Sequence, residues 1–293
     1  MLSTKIKSYL LSNLNKKFDF FKKEIFFVNN SKNLNLLIKD LSKSDIIGID
    51  TEFDWRKTYY PKLSLMQIVI GKKIYIVDCL SKINLKLLKK FLEDPNKLIV
   101  FHSSRSDTTV ISSNLSIYIE NIFDIQIADK VINSGQTESY ASLVNKYLNI
   151  IIKKEETNSN WLRRPLTISQ VDYAACDVKF LIEIYQKQKK SLKNLKKFAE
   201  VVTSSKKEAK IGNEDFIKTR IKRKNNLSEN EKKVFLWREK EAKERNLPPS
   251  FIFKDNLISR IGKLDLNDKF LKKRLISILG DTDLAEKFIL FFK

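Results

Sequence analysis

The chain has 293 residues, of which 42% are hydrophobic and 31% are charged. These values predict one or two globular domains with enough chain for a substantial core. No run of about eighteen apolar residues occurs, so we expect neither a transmembrane helix nor a membrane partner. The only two cysteines, Cys79 and Cys176, and the single histidine exclude a disulfide framework and a Cys/His zinc cluster. This cysteine usage favours a reducing, cytoplasmic location.

The formal net charge of +21 is the strongest signal in the composition. A charge of this size predicts a polyanionic partner, with nucleic acid favoured over a membrane surface. A second interpretation stays open, because lysine, asparagine and isoleucine are abundant throughout the chain. Such a composition bias would give the same charge without any binding role.

Residues 1–24 are predicted to be a dispensable basic extension. Residues 1–23 contain six lysines and one acid, Asp19. The segment is acid-poor like a transit peptide, but it has no arginine, which argues against that interpretation. An amphipathic basic helix is favoured by apolar residues at helical spacing, which are Leu11, Leu14, Phe18 and Phe21.

Short apolar runs alternate with helical patterns after this extension. Strands are predicted at Ile25–Val28, Ile46–Glu52, Leu65–Ile70, Ile74–Val77 and Leu98–Phe101. Helices are predicted at Ser31–Leu41 with Ser31 as N-cap, at Leu85–Leu92, from about Ser106, at Phe123–Ile132, at Ser139–Leu148, and from a capping box at Thr167–Gln170 to about Lys190. The tripeptide Gly71-Lys72-Lys73 is typical of a hairpin turn. We therefore expect an α/β domain at residues 25–202, with a mixed β-sheet flanked by helices.

The last part of the chain has a different character. Residues 153–160 are predicted to be a polar loop, and the lysine-rich, weakly patterned residues 203–226 to be a linker. Residues 227–293 show no convincing strand. A capping box at Ser228–Glu231 and candidate caps at Asp255, Asn267 and Thr282 predict four or five short helices. We therefore expect a small all-α domain to follow the α/β domain.

Two acids end the strand that begins at Ile46. Asp50 and Glu52 are separated by one residue, so their side chains point to the same face of the strand. Two adjacent carboxylates repel each other and lose solvation unless a cation lies between them. The pair therefore indicates either a site for a hard divalent metal or a solvated acidic strand end.

Further polar residues follow at positions where either a structural or a functional interpretation is open. Asp107 lies in the first turn of a predicted helix, where the helix dipole alone favours a carboxylate. His102 follows a strand and is interpreted as either a hydrogen-bonded rim residue or a ligand. Tyr173 and Asp177 lie four residues apart on one helix face. They either bind a metal and position its water, or Tyr173 packs and Asp177 is solvated.

Six stretches of this sequence occur together in an order that resembles the DEDD superfamily of 3′–5′ exonucleases. They are Asp50-Thr-Glu-Phe53, Thr58–Gln67, His102-Ser-Ser-Arg-Ser-Asp107, Phe123-Asp-Ile-Gln126, Trp161-Leu-Arg-Arg-Pro-Leu166 and Tyr173-Ala-Ala-Cys-Asp177. Within the superfamily the sequence is most similar to the ribonuclease D family of the tyrosine branch. The sister branch has a histidine five residues before the last aspartate, where this chain has Asp172.

The resemblance implies a ribonuclease H-like fold and a metal-dependent 3′–5′ exoribonuclease that releases nucleoside 5′-monophosphates. It implies two Mg²⁺ or Mn²⁺ ions, and RNA as partner, with tRNA precursors or other structured RNA 3′ ends as substrates. We expect a monomer, although the sequence leaves the oligomeric state open. The implied metal ligands are Asp50, Glu52, Asp107 and Asp177. Of these, Asp50 and Glu52 are expected to share one ion with Asp177, while Asp107 chiefly serves the second. A DNA 3′–5′ exonuclease and a non-catalytic nucleic-acid-binding protein are the alternatives.

Other residues receive roles by the same resemblance. Tyr173 is expected to orient the attacking water. Phe53, which has an alternative role as a core aromatic, is a candidate for stacking on the terminal base, and Gln67 and His102 are weaker candidates for substrate contact. Residues 227–293 resemble an HRDC domain, a helical nucleic-acid-binding module, through Leu227-Ser228, Trp237-Arg-Glu239 and Asn246–Pro249. Longer ribonuclease D chains carry two such domains, whereas we expect one here.

Overall fold

The computed structural model describes residues 22–152, 156, 159–214, 220–221 and 226–292. The predicted N-terminal helix therefore lies outside the described residues, as do most of the predicted loop at 153–160 and parts of the predicted linker. The chain divides into two compact units. The described residues through Asp54, together with Leu63–Asn213, form the first unit, and Trp55–Lys62 with the described residues from Glu214 onward form the second.

A six-stranded sheet forms the centre of the first unit. Its strands are β1 (Glu24–Val28), β2 (Ile46–Asp54), β3 (Lys62–Ile70), β4 (Lys73–Asp78), β5 (Leu98–Phe101) and β6 (Ile122–Asp124), in the spatial order β1-β4-β3-β2-β5-β6. Strands β3 and β4 pair antiparallel across a turn at Gly71, whose φ of 53° is a conformation that glycine adopts without strain. The β1–β4, β2–β5 and β5–β6 pairs are parallel. The prediction of a mixed sheet with one hairpin is confirmed.

Helices cover both faces of this sheet. They are α1 (Ser31–Lys43), α2 (Lys89–Leu92, after a 3₁₀ turn at Leu85–Leu88), α3 (Arg105–Leu115), α4 (Ile125–Asn133), α5 (Tyr140–Leu148), α6 (Ile168–Lys179), α7 (Leu181–Asn194) and α8 (Phe198–Asn213). Alternate residues of β3 enter different cores, with Met66 and Ile68 in one and Leu65 and Val69 in the other. The core that contains Leu65 also contains residues of α6 and α7. This face of the sheet is the one on which those two helices pack.

Two helix predictions are wrong in their bounds, for reasons of tertiary packing. The helix predicted from Phe123 begins at Ile125, because Ile122–Asp124 pairs with β5 as a sixth strand. The helix predicted to reach Lys190 is interrupted at Phe180 and continues as a separate helix. There the backbone N–H of Phe180 donates to the Tyr140 hydroxyl at 3.0 Å, so a side chain takes the place of a helix carbonyl.

The predicted linker is wrong for residues 203–213, which belong to helix α8 in the first unit. The buried positions of this helix are small or polar for the most part, namely Val201, Ser205, Ala209 and Gly212. Gly212 allows close packing, since an added Cβ atom would lie 2.0 Å from the Thr108 hydroxyl oxygen. The hydrophobic signal of this helix is weak because close packing of small residues replaces large apolar side chains.

The described part of the second unit is helical, with helices α9 (Glu229–Glu244), α10 (Pro249–Ile252), α11 (Asn256–Gly262), α12 (Leu271–Leu279) and α13 (Thr282–Phe292). The capping box at Ser228 and Glu231 is confirmed, as is the one at Thr167 in the first unit. The predicted cap at Asn267 is wrong, because α12 begins at Leu271. At α13 the Asp281 carboxylate accepts the N–H of Leu284, so Asp281 provides the cap there. No helix in the described residues is long and apolar enough to cross a bilayer.

The segment Trp55–Lys62 joins β2 to β3 but belongs to the second unit. Tyr59 is fully buried in the core of that unit. Its hydroxyl donates to Glu239 at 3.1 Å, and its backbone N–H donates to the Asn246 side chain at 3.2 Å. The Arg220 guanidinium lies 4.9 Å from the centre of its ring. Tyr59 therefore anchors the β2–β3 connection inside the helical unit.

Candidate active site

Three carboxylates of the first unit meet at one point. Asp50 and Glu52 follow the buried residues Ile47–Ile49 on β2, and Asp177 lies on α6. One carboxylate oxygen from each of the three acids lies within 4.8 Å of the others. We call Asp50, Glu52 and Asp177 the acid cluster. The structure thus brings together three of the four predicted metal ligands, from two elements that are distant in the sequence.

Asp107, the fourth predicted ligand, lies beside the acid cluster and is not one of its three members. It is buried in the first turn of α3. Its Oδ1 atom accepts a hydrogen bond of 2.6 Å from the hydroxyl of Thr51, the residue between Asp50 and Glu52. The charge of Asp107 contributes to raising the pKa of both Asp50 and Glu52. The sequence prediction did not include Thr51, although its position between two acids was a signal.

The acids destabilise one another's charged forms. Burial and the neighbouring carboxylates raise the pKa of Asp50 well above its ordinary value. Burial, then Asp177 and Asp107, raise the pKa of Glu52 to about 9. Burial raises the pKa of Asp107 to about 7, against the opposing effect of its hydrogen bond from Thr51. Without a cation the cluster therefore holds protons at neutral pH.

This donor set fits a hard divalent cation. All of its donors are carboxylate oxygens, which Mg²⁺ and Mn²⁺ prefer. A bound cation would favour the ionised carboxylates and so reverse the upward pKa shifts. The cluster of partly buried like charges is therefore chemically consistent with a metal site.

Tyr173 lies one helical turn before Asp177, and its ring is packed. The centre of the Tyr173 ring lies 5.9 Å from that of Trp161, which is buried. Arg164 holds the Trp161 segment in place: its guanidinium donates to both Asp78 oxygens at 3.0 and 2.6 Å, and to the Trp161 carbonyl at 2.7 Å. The aromatic wall beside Tyr173 is thus fixed by an ion pair to β4. The contacts of Arg164 were not predicted, although the residue lies within one of the six stretches.

The three predicted substrate contacts have different surroundings. Gln67 is fully buried in β3, and neither of its amide atoms has a hydrogen-bond partner among the described residues. His102 Nε2 lies 3.0 Å from the Glu138 carbonyl oxygen, and the imidazole ring packs edge-on against Tyr140. Phe53 is partly buried and packs against the core that contains α1. The roles of these three residues stay predictions.

Comparison with known proteins gives the family. Residues 25–193, which are more than half of the chain, match the 3′–5′ exonuclease family. The chain therefore belongs to the 3′–5′ exonuclease family. It is 30% identical over 247 residues to ribonuclease D of Desulfotalea psychrophila, which covers 80% of this chain and 65% of that protein. It is also 30% identical over 245 residues to ribonuclease D of a Shewanella species, covering 81% and 63%.

The chain thus spans just under two thirds of the length of these relatives. Among solved structures, it is similar to Escherichia coli RNase D, described as an exoribonuclease involved in structured RNA processing. The TM-score is 0.76 at 23% identity, with 90% of this chain and 75% of that chain covered. These matches confirm the resemblance to ribonuclease D and the predicted fold class.

Proposed function

We propose that this protein is a metal-dependent 3′–5′ exoribonuclease that releases nucleoside 5′-monophosphates. The observation that carries the proposal is the convergence of Asp50, Glu52 and Asp177 within 4.8 Å in a chain of the 3′–5′ exonuclease family. Asp107 lies beside them, and Tyr173 lies one turn from Asp177. This is the set of acids and tyrosine that the family resemblance implied.

The acid cluster would hold one divalent cation, and Asp107 chiefly a second. When bound, such ions stabilise negative charge on a phosphate and lower the pKa of water. Thr51 fixes the orientation of the Asp107 carboxylate through its hydroxyl. The site is therefore built to keep carboxylate oxygens in place, although their proximity opposes ionisation.

Release of a 5′-monophosphate requires water to attack the terminal phosphodiester and the O3′ of the remaining chain to leave. In our proposal Tyr173 orients that water, because a phenol hydroxyl both donates and accepts hydrogen bonds. Packing of its ring against Trp161 limits the positions that the hydroxyl can take. Tyr173 thus contributes orientation, which is a substantial part of enzymatic rate enhancement.

RNA is the proposed substrate because the two relatives at 30% identity are ribonucleases. We further propose tRNA precursors or other structured RNA 3′ ends, in line with the description of the E. coli structure. The net charge of +21 supports phosphate contacts that do not depend on base sequence. Residues 227–293 are proposed to be an HRDC-like domain that adds to this binding.

The test is hydrolysis of 3′-labelled RNA and DNA by the full chain, with Mg²⁺ or with a chelator. We expect Mg²⁺-dependent release of mononucleotides from RNA, and loss of that release in Asp50→Asn and Asp177→Asn. Asp172→Asn is the matched control, because Asp172 is exposed on the same helix as Asp177. Failure of the native chain to release mononucleotides from either nucleic acid would overturn the enzyme proposal. Full activity of Asp177→Asn would overturn the site, and preference for DNA would overturn RNA as substrate.

A further inference from the structure

A groove between α11 and α12 in the second unit combines positive charge with an exposed aromatic ring. Its volume is about 540 Å³. The apolar part of its lining is Leu264, Phe270 and Ile278, and the polar part is Arg260, Lys273, Arg274 and Ser277. We call this feature the α11–α12 groove. It lies outside the acid cluster, and neither the family match nor the six sequence stretches include it.

The charges of the α11–α12 groove are unbalanced. Its lining has three cationic side chains and no acid. The Arg274 Nε atom pairs with Asp268 at 2.9 Å. Arg260 and Lys273 have no acid within ion-pair distance among the residues that the structure describes. An anionic ligand is therefore the electrostatic complement of the groove.

Phe270 gives the groove a second recognition element. Its side chain is 53% exposed, although it is large and apolar. Lys269 Nζ lies 5.0 Å from the centre of the ring. An exposed aromatic ring among cations is the combination with which proteins bind single-stranded nucleic acid, since bases stack on the ring while cations contact the phosphates.

We propose that the α11–α12 groove binds single-stranded RNA, with a base stacked on Phe270 and flanking phosphates held by Arg260 and Lys273. The choice of RNA as the polyanion rests on the proposed function. The groove itself follows from charge and exposure alone. A phosphate-bearing strand satisfies both elements, whereas an acidic peptide or an anionic membrane satisfies the charge alone.

The test is binding of the full chain to a fluorescein-labelled oligouridylate of about twelve nucleotides, followed by anisotropy in the presence of a chelator. We expect Phe270→Ala to weaken binding about tenfold through loss of one stacked base. Lys273→Ala and Arg260→Ala should each lower the slope of log affinity against log salt by about 0.7, as one phosphate contact is lost. Circular dichroism of each variant confirms that it is folded.

A second pair of side chains in the same unit provides the matched control. Lys240 Nζ lies 5.2 Å from the centre of the Phe291 ring, and Phe291 is 48% exposed. Phe291→Ala and Lys240→Ala therefore remove the same types of side chain, a phenylalanine and a lysine, outside the groove. We expect both controls to bind within about twofold of the native chain. Equal losses of RNA affinity in the groove variants and in the control variants would overturn the assignment to the groove. The binding would then be attributed to the overall charge of the chain.

The assay separates this inference from the proposed function, because binding in a chelator needs no catalysis. If the native chain hydrolyses RNA but Phe270→Ala binds like the native chain, the groove assignment is wrong and the proposed function stands. If the groove variants lose binding but the native chain hydrolyses nothing, the proposed function is wrong and the groove stands. If Phe270→Ala loses as much affinity for phosphatidylserine vesicles or polyglutamate as for RNA, base stacking is overturned.

Discussion

The acid cluster of the first unit and the α11–α12 groove of the second unit show two ways of placing like charges together. The acids are partly buried on a strand and a helix, and burial together with the neighbouring carboxylates raises the pKa values of Asp50 and Glu52. The cations of the groove are exposed on helix surfaces. Burial makes the acid cluster costly without a cation, whereas solvent screens the groove charges. The acid cluster therefore requires a bound cation to stay ionised, whereas the α11–α12 groove can bind and release a polyanion.

The largest expected difference between the acid cluster and the α11–α12 groove is in their effects on catalysis. We expect Asp177→Asn to lower kcat by roughly 10³-fold, because several kcal/mol of charge stabilisation in the transition state are lost. Lys273→Ala should instead raise KM by a few-fold, because it removes one screened phosphate contact. Steady-state hydrolysis of RNA at increasing salt measures both. A kcat defect in Lys273→Ala as large as that in Asp177→Asn would break the distinction.

A second prediction concerns Arg164 in the first unit, whose charge is paired with that of Asp78. Arg164→Met removes the guanidinium that holds the buried Asp78. We expect a loss of about 2–3 kcal/mol in the free energy of unfolding, because an unpaired buried carboxylate remains and the pair is partly screened. Urea unfolding measures the change. Arg163→Met, at the exposed neighbouring residue, is the control and should cost less than about 0.5 kcal/mol. Equal effects of the two substitutions would contradict the contact.

A third prediction is that removing a charge from the acid cluster stabilises the metal-free protein, whereas removing the charge of Arg164 destabilises it. Because the pKa of Glu52 is raised from 4.5 to about 9, the folded metal-free protein holds a proton that the unfolded chain releases. The contribution of Glu52 to stability is therefore fully present below its ordinary pKa of 4.5 and is lost as pH rises from there towards 9. In a chelator we expect Glu52→Gln to raise Tm at about pH 9 by roughly 3–6 °C relative to the native chain, and less at about pH 6.

Thermal unfolding at the two pH values measures this effect. Mg²⁺ should reduce the difference between the native chain and Glu52→Gln, because the native cluster is then neutralised. Parallel Tm curves for the two proteins across this pH range would show that Glu52 does not titrate in the way its surroundings indicate.

The smallest expected effect is the loss of stability when a helix capping box, a motif present in both units, is removed. Thr167 begins α6 and Ser228 begins α9, each within a complete capping box. Thr167→Ala and Ser228→Ala should each cost about 1 kcal/mol of unfolding free energy. We expect Ser228→Ala to leave the effect of chelator on Tm, and the change in Tm between about pH 6 and pH 9, as in the native chain. Ser228 lies outside the first unit, and the Glu231 carboxyl that it contacts has a pKa lowered from 4.5, which is below this range. A change in the dependence of Tm on pH or chelator would show that the acid cluster is not the source of the pH effect.

The elements that sequence patterns predicted well are those with strong local signals. Strand β2 was recognisable because a buried apolar run ends in two acids at period two. Both capping boxes were recognisable because their residues are three apart. Strand β6 has three residues and continues directly into a helix, so its pattern merged with the helical one. Its identity depends on pairing with β5.

The candidate site was predictable in its acids but not in the contacts that hold them. Asp50 and Glu52 followed from strand geometry, while Asp107 and Asp177 depended on the family resemblance. The Thr51–Asp107 hydrogen bond joins residues 56 apart in the chain, and the Arg164–Asp78 pair joins residues 86 apart. No periodicity in the sequence links residues at such separations. Only the folded sheet brings them together.

The path of the chain through Tyr59 limits how the molecule can be divided. The helical unit contains a piece of sequence from between β2 and β3 as well as the sequence from Glu214 onward. A truncation after Asn213 would therefore remove the partners of Tyr59 and expose a large side chain that is now fully buried. Grafting the helical unit onto another nuclease would likewise require two insertions rather than one C-terminal fusion. The two units are interleaved in the gene, so neither can be exchanged as a single continuous cassette.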